Sequence, residues 1–354
     1  METNQSTQLD YYEIPICSNY KLDSRTKYKT DIDTQIYSGR KIFTNEKVVF
    51  KLKNKKYRDS IYIYKEFKVY AGLRGIKRIP KCSGVCSQGI YNILIIEQLG
   101  PSLKELLQEV GGKFTLATTL KVCMQVLDII EKIHERGFVL RYIKPGNMVI
   151  GLEENKDYIY LIDFEIAERY IQYGKHIPYE ENIEVKGNRN YISINTHCGK
   201  AISRRDDIES LGYNLIYFMK GKLPWSHLNS GHDIMQAKMD ITMDKLCEGL
   251  PEEFKEFIEY AKKLEFTEKP DYEYLKNLLK KVAEKNGIDV DKVKYDWVIK
   301  MEEKEKENEK KENLKEQEKI KEEKEKEKAD ELGNEKEKEM KEKDLTNDNA
   351  TKSI

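Results

Sequence analysis

Along residues 18–97 apolar and polar positions alternate at strand spacing. "KIFTNEKVVFKL" predicts two strands around a Thr-Asn turn, with Lys51 ending the strand "VVFK". "SIYIYKEFKVYAGL" predicts a helix, and "YNILIIEQL" a buried strand. From about residue 101 the period changes. In "TLATTLKVCMQVLDIIEKIHERG", Leu116, Leu120, Cys123, Leu127 and Ile130 recur at spacings of 4, 3, 4 and 3. They form one apolar helix face, closed by Gly137. "YIYLIDFEI" predicts a short strand ending in an acidic residue. "DDIESLGYNLIYFMKGKLPW" predicts another apolar helix, stopped by Gly221 and Pro224, and helices continue to about residue 300. The expected architecture is α+β, a small β-rich lobe followed by a large helical lobe.

From Met301 the apolar positions thin out. Glu302–Lys306, Glu307–Lys311 and Glu322–Lys326 are favourable i, i+4 pairs. No heptad is sustained, so residues 301–354 read as a charged tail, helical or disordered, rather than a coiled coil. Gly333-Asn334 interrupts any helix there. Residues 1–17 are polar and expected to be disordered. The formal net charge is zero, which gives no field for nucleic acid or an acidic membrane. "METNQSTQLD" has no apolar stretch of the signal-peptide kind, and runs such as "YNILII" are too short to cross a bilayer. Six scattered cysteines point to a reduced intracellular compartment. Cys82 and Cys86 are placed in a turn between strands, since no second Cys/His pair follows at zinc spacing.

The candidate chemistry lies in four fragments. Lys51 follows "VVF", Glu66 lies on the helix "YKEFKVY", Lys144 and Asn147 sit in "IKPGN", and Asp163 sits in "LIDFE". Phosphoryl transfer from ATP uses such a set. A Lys holds the α- and β-phosphates and a helix Glu positions it. An Asn and an Asp hold the magnesium ions that neutralise charge on the moving group. Each fragment alone is weak; the order and separations together are specific.

Longer stretches agree. "EQLGPSLKELL", "KHIPYEEN", "YISINTHCGKAISRRDDIESLGYNLIYF", "GKLPW" and "EKPDYEYLKNLL" make residues about 18–300 resemble the casein kinase 1 family of eukaryotic protein kinases. The "SIN" at Ser193–Asn195 and the following "SRRDD" are peculiar to that family, and "KVKYDW" looks like its domain end. The resemblance implies a bilobal protein kinase fold, with an N-lobe over about 18–98 and a C-lobe over about 99–300. It places the gatekeeper at Ile96, the cofactor-binding hinge at Glu97 to Leu99, and Arg141 and Asp207 as loop-to-helix anchors. ATP and Mg are the implied cofactors, and proteins the implied substrates or partners, in the cytoplasm or nucleus.

Four departures set this chain apart. Where the family reads H-R-D, this chain has Leu140-Arg141-Tyr142. A phenol of pKa near 10 is neutral and donates where the family's Asp accepts the substrate hydroxyl proton. The Gly-rich loop is absent, with no Gly between Tyr20 and Ile36, and Asp31 and Asp33 bring negative charge toward the triphosphate. The D-F-G Gly is Glu165, which either restricts the switch or adds an oxygen near magnesium. The family's Arg before "Y-x-S-I-N" is Asn190, although Arg189 and Lys186 are near. The expected protein is a pseudokinase with weak nucleotide binding, acting as scaffold or allosteric partner; the alternative is a divergent serine/threonine kinase. His134 and His197 are expected to be packed or capping residues.

Overall fold

The computed structural model describes residues 17–30 and 34–319. The expected disorder of residues 1–17 thus falls, Cys17 apart, outside the described residues. So do Asp31, Asp33 and the tail beyond residue 319. The chain divides into two compact units, Met1–Trp297 and Val298–Ile354.

The first unit opens with a five-stranded antiparallel sheet in the order β1-β2-β3-β5-β4. Its strands are β1 (Tyr20–Thr30), β2 (Thr34–Lys41), β3 (Lys47–Asn54), β4 (Cys82–Gln88) and β5 (Tyr91–Glu97), with helix α1 (Tyr62–Gly72) between β3 and β4. Strand period decides which residues face where. Val48, Phe50 and Leu52 of β3 join Tyr20, Ile93 and Ile95 in one apolar cluster. Lys51 and Lys53 therefore point to the opposite face. Contrary to the expected strand end at Lys51, β3 runs on to Asn54, paired with β5 from Val48 to Asn54. Cys82 and Cys86 lie on β4, not in a turn, and Cys86 forms a disulfide with Cys17 at a Cα–Cα distance of 6.4 Å. That bond departs from the reduced-thiol expectation. The residues leading into β1 reach β4 over the apolar face of the sheet, where the Cys17 N–H also donates to Gln88 Oε1, and the separation of the two cysteines in sequence carries no signal.

The helical part begins with α2 (Leu103–Glu109) and α3 (Leu116–Glu135). Thr115 caps α3 by accepting from the Thr118 N–H, and Gly137, at φ 79°, follows its end. Leu120, Cys123, Leu127 and Ile130 are buried as their spacing requires. Each fully buried Leu or Ile contributes about 1.5–3 kcal/mol. Short strands β6 (Phe138–Val139) and β9 (Glu168–Arg169) pair with each other, as do β7 (Met148–Ile150) and β8 (Ile159–Leu161), and they frame two loops. Helices α4 (Ile194–His197), α5 (Arg204–Lys220), α6 (Gly231–Asp240), α7 (Met243–Leu246), α8 (Glu252–Lys263) and α9 (Tyr272–Lys285) complete the unit. α5 is buried from Arg205 to Ile216 on every face, as befits a central helix. Gly221, at φ 74°, closes it by donating to the Tyr217 carbonyl. Tyr295 and Trp297 stack at 4.2 Å at the end of the unit. This is the bilobal α+β kinase architecture the resemblance implied.

In the second unit, residues 298–319 are helical, and 303–319 are exposed throughout. Nothing apolar is buried along that stretch, so its helicity rests on propensity and on i, i+4 charge pairs.

Candidate functional site

The β3 face that carries Lys51 and Lys53 meets the loop after β8. The Lys51 ammonium donates to Glu66 Oε2 at 2.7 Å, Asp163 Oδ1 at 2.8 Å and Glu165 Oε2 at 3.0 Å. An ammonium has three N–H donors, and all three are used. Lys53, buried on the same face, donates to Glu165 Oε1 at 2.5 Å. Helix α1 supplies Glu66, which is buried. One turn further, Tyr70 packs edge-on against Phe164 at 4.8 Å and ties the helix to the loop. Asp163 has φ 67°, a left-handed conformation uncommon outside glycine and held by its surroundings.

Three carboxylates around one ammonium compete. Burial pushes the Glu66 carboxyl up to about 7; Lys51 opposes this, and repulsion from Asp163 and Glu165 adds to it. Burial alone would lower the Lys51 value, but Asp163, Glu66 and Glu165 together hold it well above the ordinary one. Burial also disfavours ionised Asp163, yet Lys51, Lys144 and Lys53 keep its carboxyl below its usual value.

The loop over residues 140–147 is anchored from below. Asp207 on α5 accepts from the Leu140 N–H at 2.7 Å and the Arg141 N–H at 2.9 Å. His134 bridges Asp207 at 2.8 Å and the Tyr272 hydroxyl at 2.6 Å, so its ring is a packed structural link. Arg141 also has a positive φ, 66°, and its side chain pairs with Glu168 at 2.7 Å. Lys65 of α1 reaches the same carboxylate at 3.0 Å. Burial works against ionised Glu168, but Arg141, Lys65 and Lys186 hold its carboxyl low.

Tyr142 is half-buried above this anchor. The Lys144 ammonium sits over its ring, 4.0 Å from the centroid, a cation–π contact. Buried Asn147 donates from Nδ2 to the Tyr142 carbonyl at 3.0 Å. A cavity of about 10 Å³ lies among Leu140, Tyr142, Lys144, Asn147, Asp163 and Phe164, at the lower limit for one water.

At the hinge, Glu97 accepts from the Lys81 N–H at 3.0 Å, and its own N–H donates to the Lys81 carbonyl. The Gln98 N–H donates to the Lys47 carbonyl. Ile96 of β5 pairs with Val49 of β3, and Leu99 follows in the connection to α2. On the C-lobe side Lys186 pairs with Glu184 at 3.0 Å. The Asn190 carbonyl accepts from Trp225, and the Arg189 carbonyl accepts from Lys238 and forms the contact of His197 Nε2. Lys238, buried on α6, donates also to the Ile192 carbonyl at 2.6 Å. Burial lowers its value to about 7 against the pull of Glu209.

The structure thus brings Lys51, Glu66 and Asp163 together, and Tyr142, Lys144 and Asn147 line one cavity with Asp163. Sequence reasoning missed Lys53, Lys65, Glu168 and Lys238. Lys53 carried a usable signal, since it lies two residues beyond Lys51 on the same strand face. The donor set suits a divalent ion: Glu66, Asp163 and Glu165 offer carboxylate oxygens within 4.8 Å of one another, and the Asn147 bond to Tyr142 uses Nδ2, not the Oδ1 that would ligate a metal. Lys51, which would meet the phosphates, gives its three donors to those carboxylates.

A comparison with protein families bears on the whole assembly. A family model described as protein kinase domain matches residues 33–287.

Proposed function

The chain belongs to the protein kinase family, and from that premise we propose that it is a casein kinase 1-like pseudokinase that acts by binding other proteins, with little or no phosphoryl transfer. Kinase domains in general bind ATP and magnesium and act on proteins. The observation that carries the proposal is Tyr142 under Lys144 at 4.0 Å. A neutral phenol stands where a carboxylate would accept the substrate proton, and the neighbouring lysine is engaged by the aromatic ring. Losing a general base alone costs about 10²- to 10⁴-fold. The working domain spans residues 18–300, and the Lys/Glu tail over 301–354 is a second contact surface for a protein partner. The zero net charge gives no global basic footprint for nucleic acid, and none is proposed as a ligand. Among the described residues no helix is long and apolar enough to cross a membrane. In the cytoplasm or nucleus the Cys17–Cys86 bond would be exposed to reduction.

The test is radiolabelled phosphoryl transfer by the full chain, with magnesium, ATP and an acidic protein. The expected result is no incorporation above that of the Lys51→Ala variant. A second reading, a divergent serine/threonine kinase, is favoured by the Lys51–Glu66 pair at 2.7 Å with Asp163 beside it. Incorporation that disappears in Lys51→Ala would establish that reading and reject the first.

A further inference from the structure

We propose that Glu165 is a built-in occupant of the phosphate position, a carboxylate that takes the lysine donors a nucleoside triphosphate would need and so keeps nucleotide out of the cleft. The inference rests on reading the cleft as a degenerate nucleotide site. Its test reads binding rather than transfer, so the two stand or fall separately.

Both oxygens of Glu165 are engaged. Oε2 accepts from Lys51 at 3.0 Å and Oε1 from Lys53 at 2.5 Å. The carboxylate therefore spans two ammonium groups as a bridging phosphate oxygen pair would. It completes the third and last donor of Lys51, after Glu66 and Asp163. A triphosphate that reached Lys51 would have to break one of these bonds. It would also bring negative charge against three carboxylates clustered within 4.8 Å. Such like-charge contact is costly in a partly buried site. Glu165 is itself about one-fifth exposed, so it lies at the open side of the cluster, while Glu66 lies at its closed side, 1 % exposed.

Neutralising Glu165 changes this balance in a defined way. Lys53 is 3 % exposed, and without Glu165 its charge loses a carboxylate it was buried against. Loss of one carboxylate partner from a buried ammonium is unfavourable, and a phosphate group restores the missing charge. The gain is therefore confined to the phosphate end of a ligand. Adenosine, which has no phosphate, gains nothing.

The experiment titrates the full chain and its Glu165→Gln variant by calorimetry with Mg·ATP, with tripolyphosphate and with adenosine. Melting curves recorded alongside show that each protein is folded. Wild type is expected to give no saturable binding of Mg·ATP. Glu165→Gln is expected to bind Mg·ATP and tripolyphosphate at least about tenfold more tightly than wild type, a gain of about 1.4 kcal/mol, with adenosine unchanged. Adding Lys53→Met to Glu165→Gln should remove part of the gain. Where Glu165→Gln fails to fold, Glu165→Asp serves instead, because a carboxylate shortened by one methylene cannot span both lysines. Wild type binding Mg·ATP as tightly as the variant, a folded variant without gain, or an equal gain for adenosine would each overturn the proposal.

Discussion

Two polar clusters lie on either side of the 140–147 loop, and they differ in what they leave open. Beneath the loop, Asp207 is 1 % exposed and satisfied by two backbone N–H groups and His134. Above it, Asp163 and Glu165 keep 28 % and 21 % of their side chains exposed. A fully satisfied buried cluster is what folding requires. A ligand-binding cluster should keep donors in reserve, yet Lys51 has spent its three on protein. The lower cluster is fixed by the need to hold the loop. The upper one gathers three carboxylates on one ammonium at a face that stays partly open to solvent.

The largest expected effect breaks the lower cluster. Asp207→Ala leaves the Leu140 and Arg141 N–H groups buried without their acceptor and should cost about 3–5 kcal/mol. A melting curve should show a fall of about 10 °C; a fall of only a degree or two would mean that the anchor is dispensable.

Next comes the upper cluster. Lys51→Met leaves Glu66, Asp163 and Glu165 without their shared ammonium. Because the cluster opens to solvent, the cost should be smaller, about 2–3 kcal/mol, read from the urea midpoint. A larger loss than for Asp207→Ala would reverse the ranking of the two clusters.

The pH dependence sharpens the contrast. The Glu66 carboxyl is raised from 4.5 to about 7 in the folded state. Between those values the native protein holds a proton that the unfolded chain has lost. Stability therefore falls as pH rises through that window. Wild type should lose up to about 3 kcal/mol more than Glu66→Gln between pH of about 4.5 and 7.5, measured by denaturation at each pH. Parallel profiles for the two proteins would contradict it. The smallest effect is expected for Glu168→Gln, which weakens the contacts of a half-exposed carboxylate to buried Arg141 and to Lys65 and should cost about 1 kcal/mol.

The lobes were legible because period alone separates β3 and β5 from α3 and α5. Lys51, Glu66 and Asp163 were legible because three elements of known order must converge where phosphoryl chemistry occurs. Tyr142 was legible as a chemical misfit in its place. What escaped were pairings between residues far apart in sequence. Lys53 shares the strand face of Lys51, but its pairing with Glu165, 112 residues away, is announced by no local pattern. Lys238 sits in "HDIMQAKMD" on a helix of mixed polarity, and its burial depends on carbonyls of residues 189 and 192 that no local pattern announces. The partner of Cys86 depended on where the residues leading into β1 return to the sheet. Glu165 itself was visible as a substitution, but its two possible roles could be separated only by finding lysines on both of its oxygens.

The most direct test of the account asks whether the site is closed independently at its two ends. It measures phosphoryl transfer by four full-length proteins side by side: wild type, Tyr142→Asp, Glu165→Gly, and the double variant. Losses at separate points of a reaction multiply when they do not interact. The account predicts silence in wild type and in each single variant, and measurable transfer only when both changes are combined. Transfer by Tyr142→Asp alone at the rate of the double variant would contradict it, because Glu165 would then hold nothing closed.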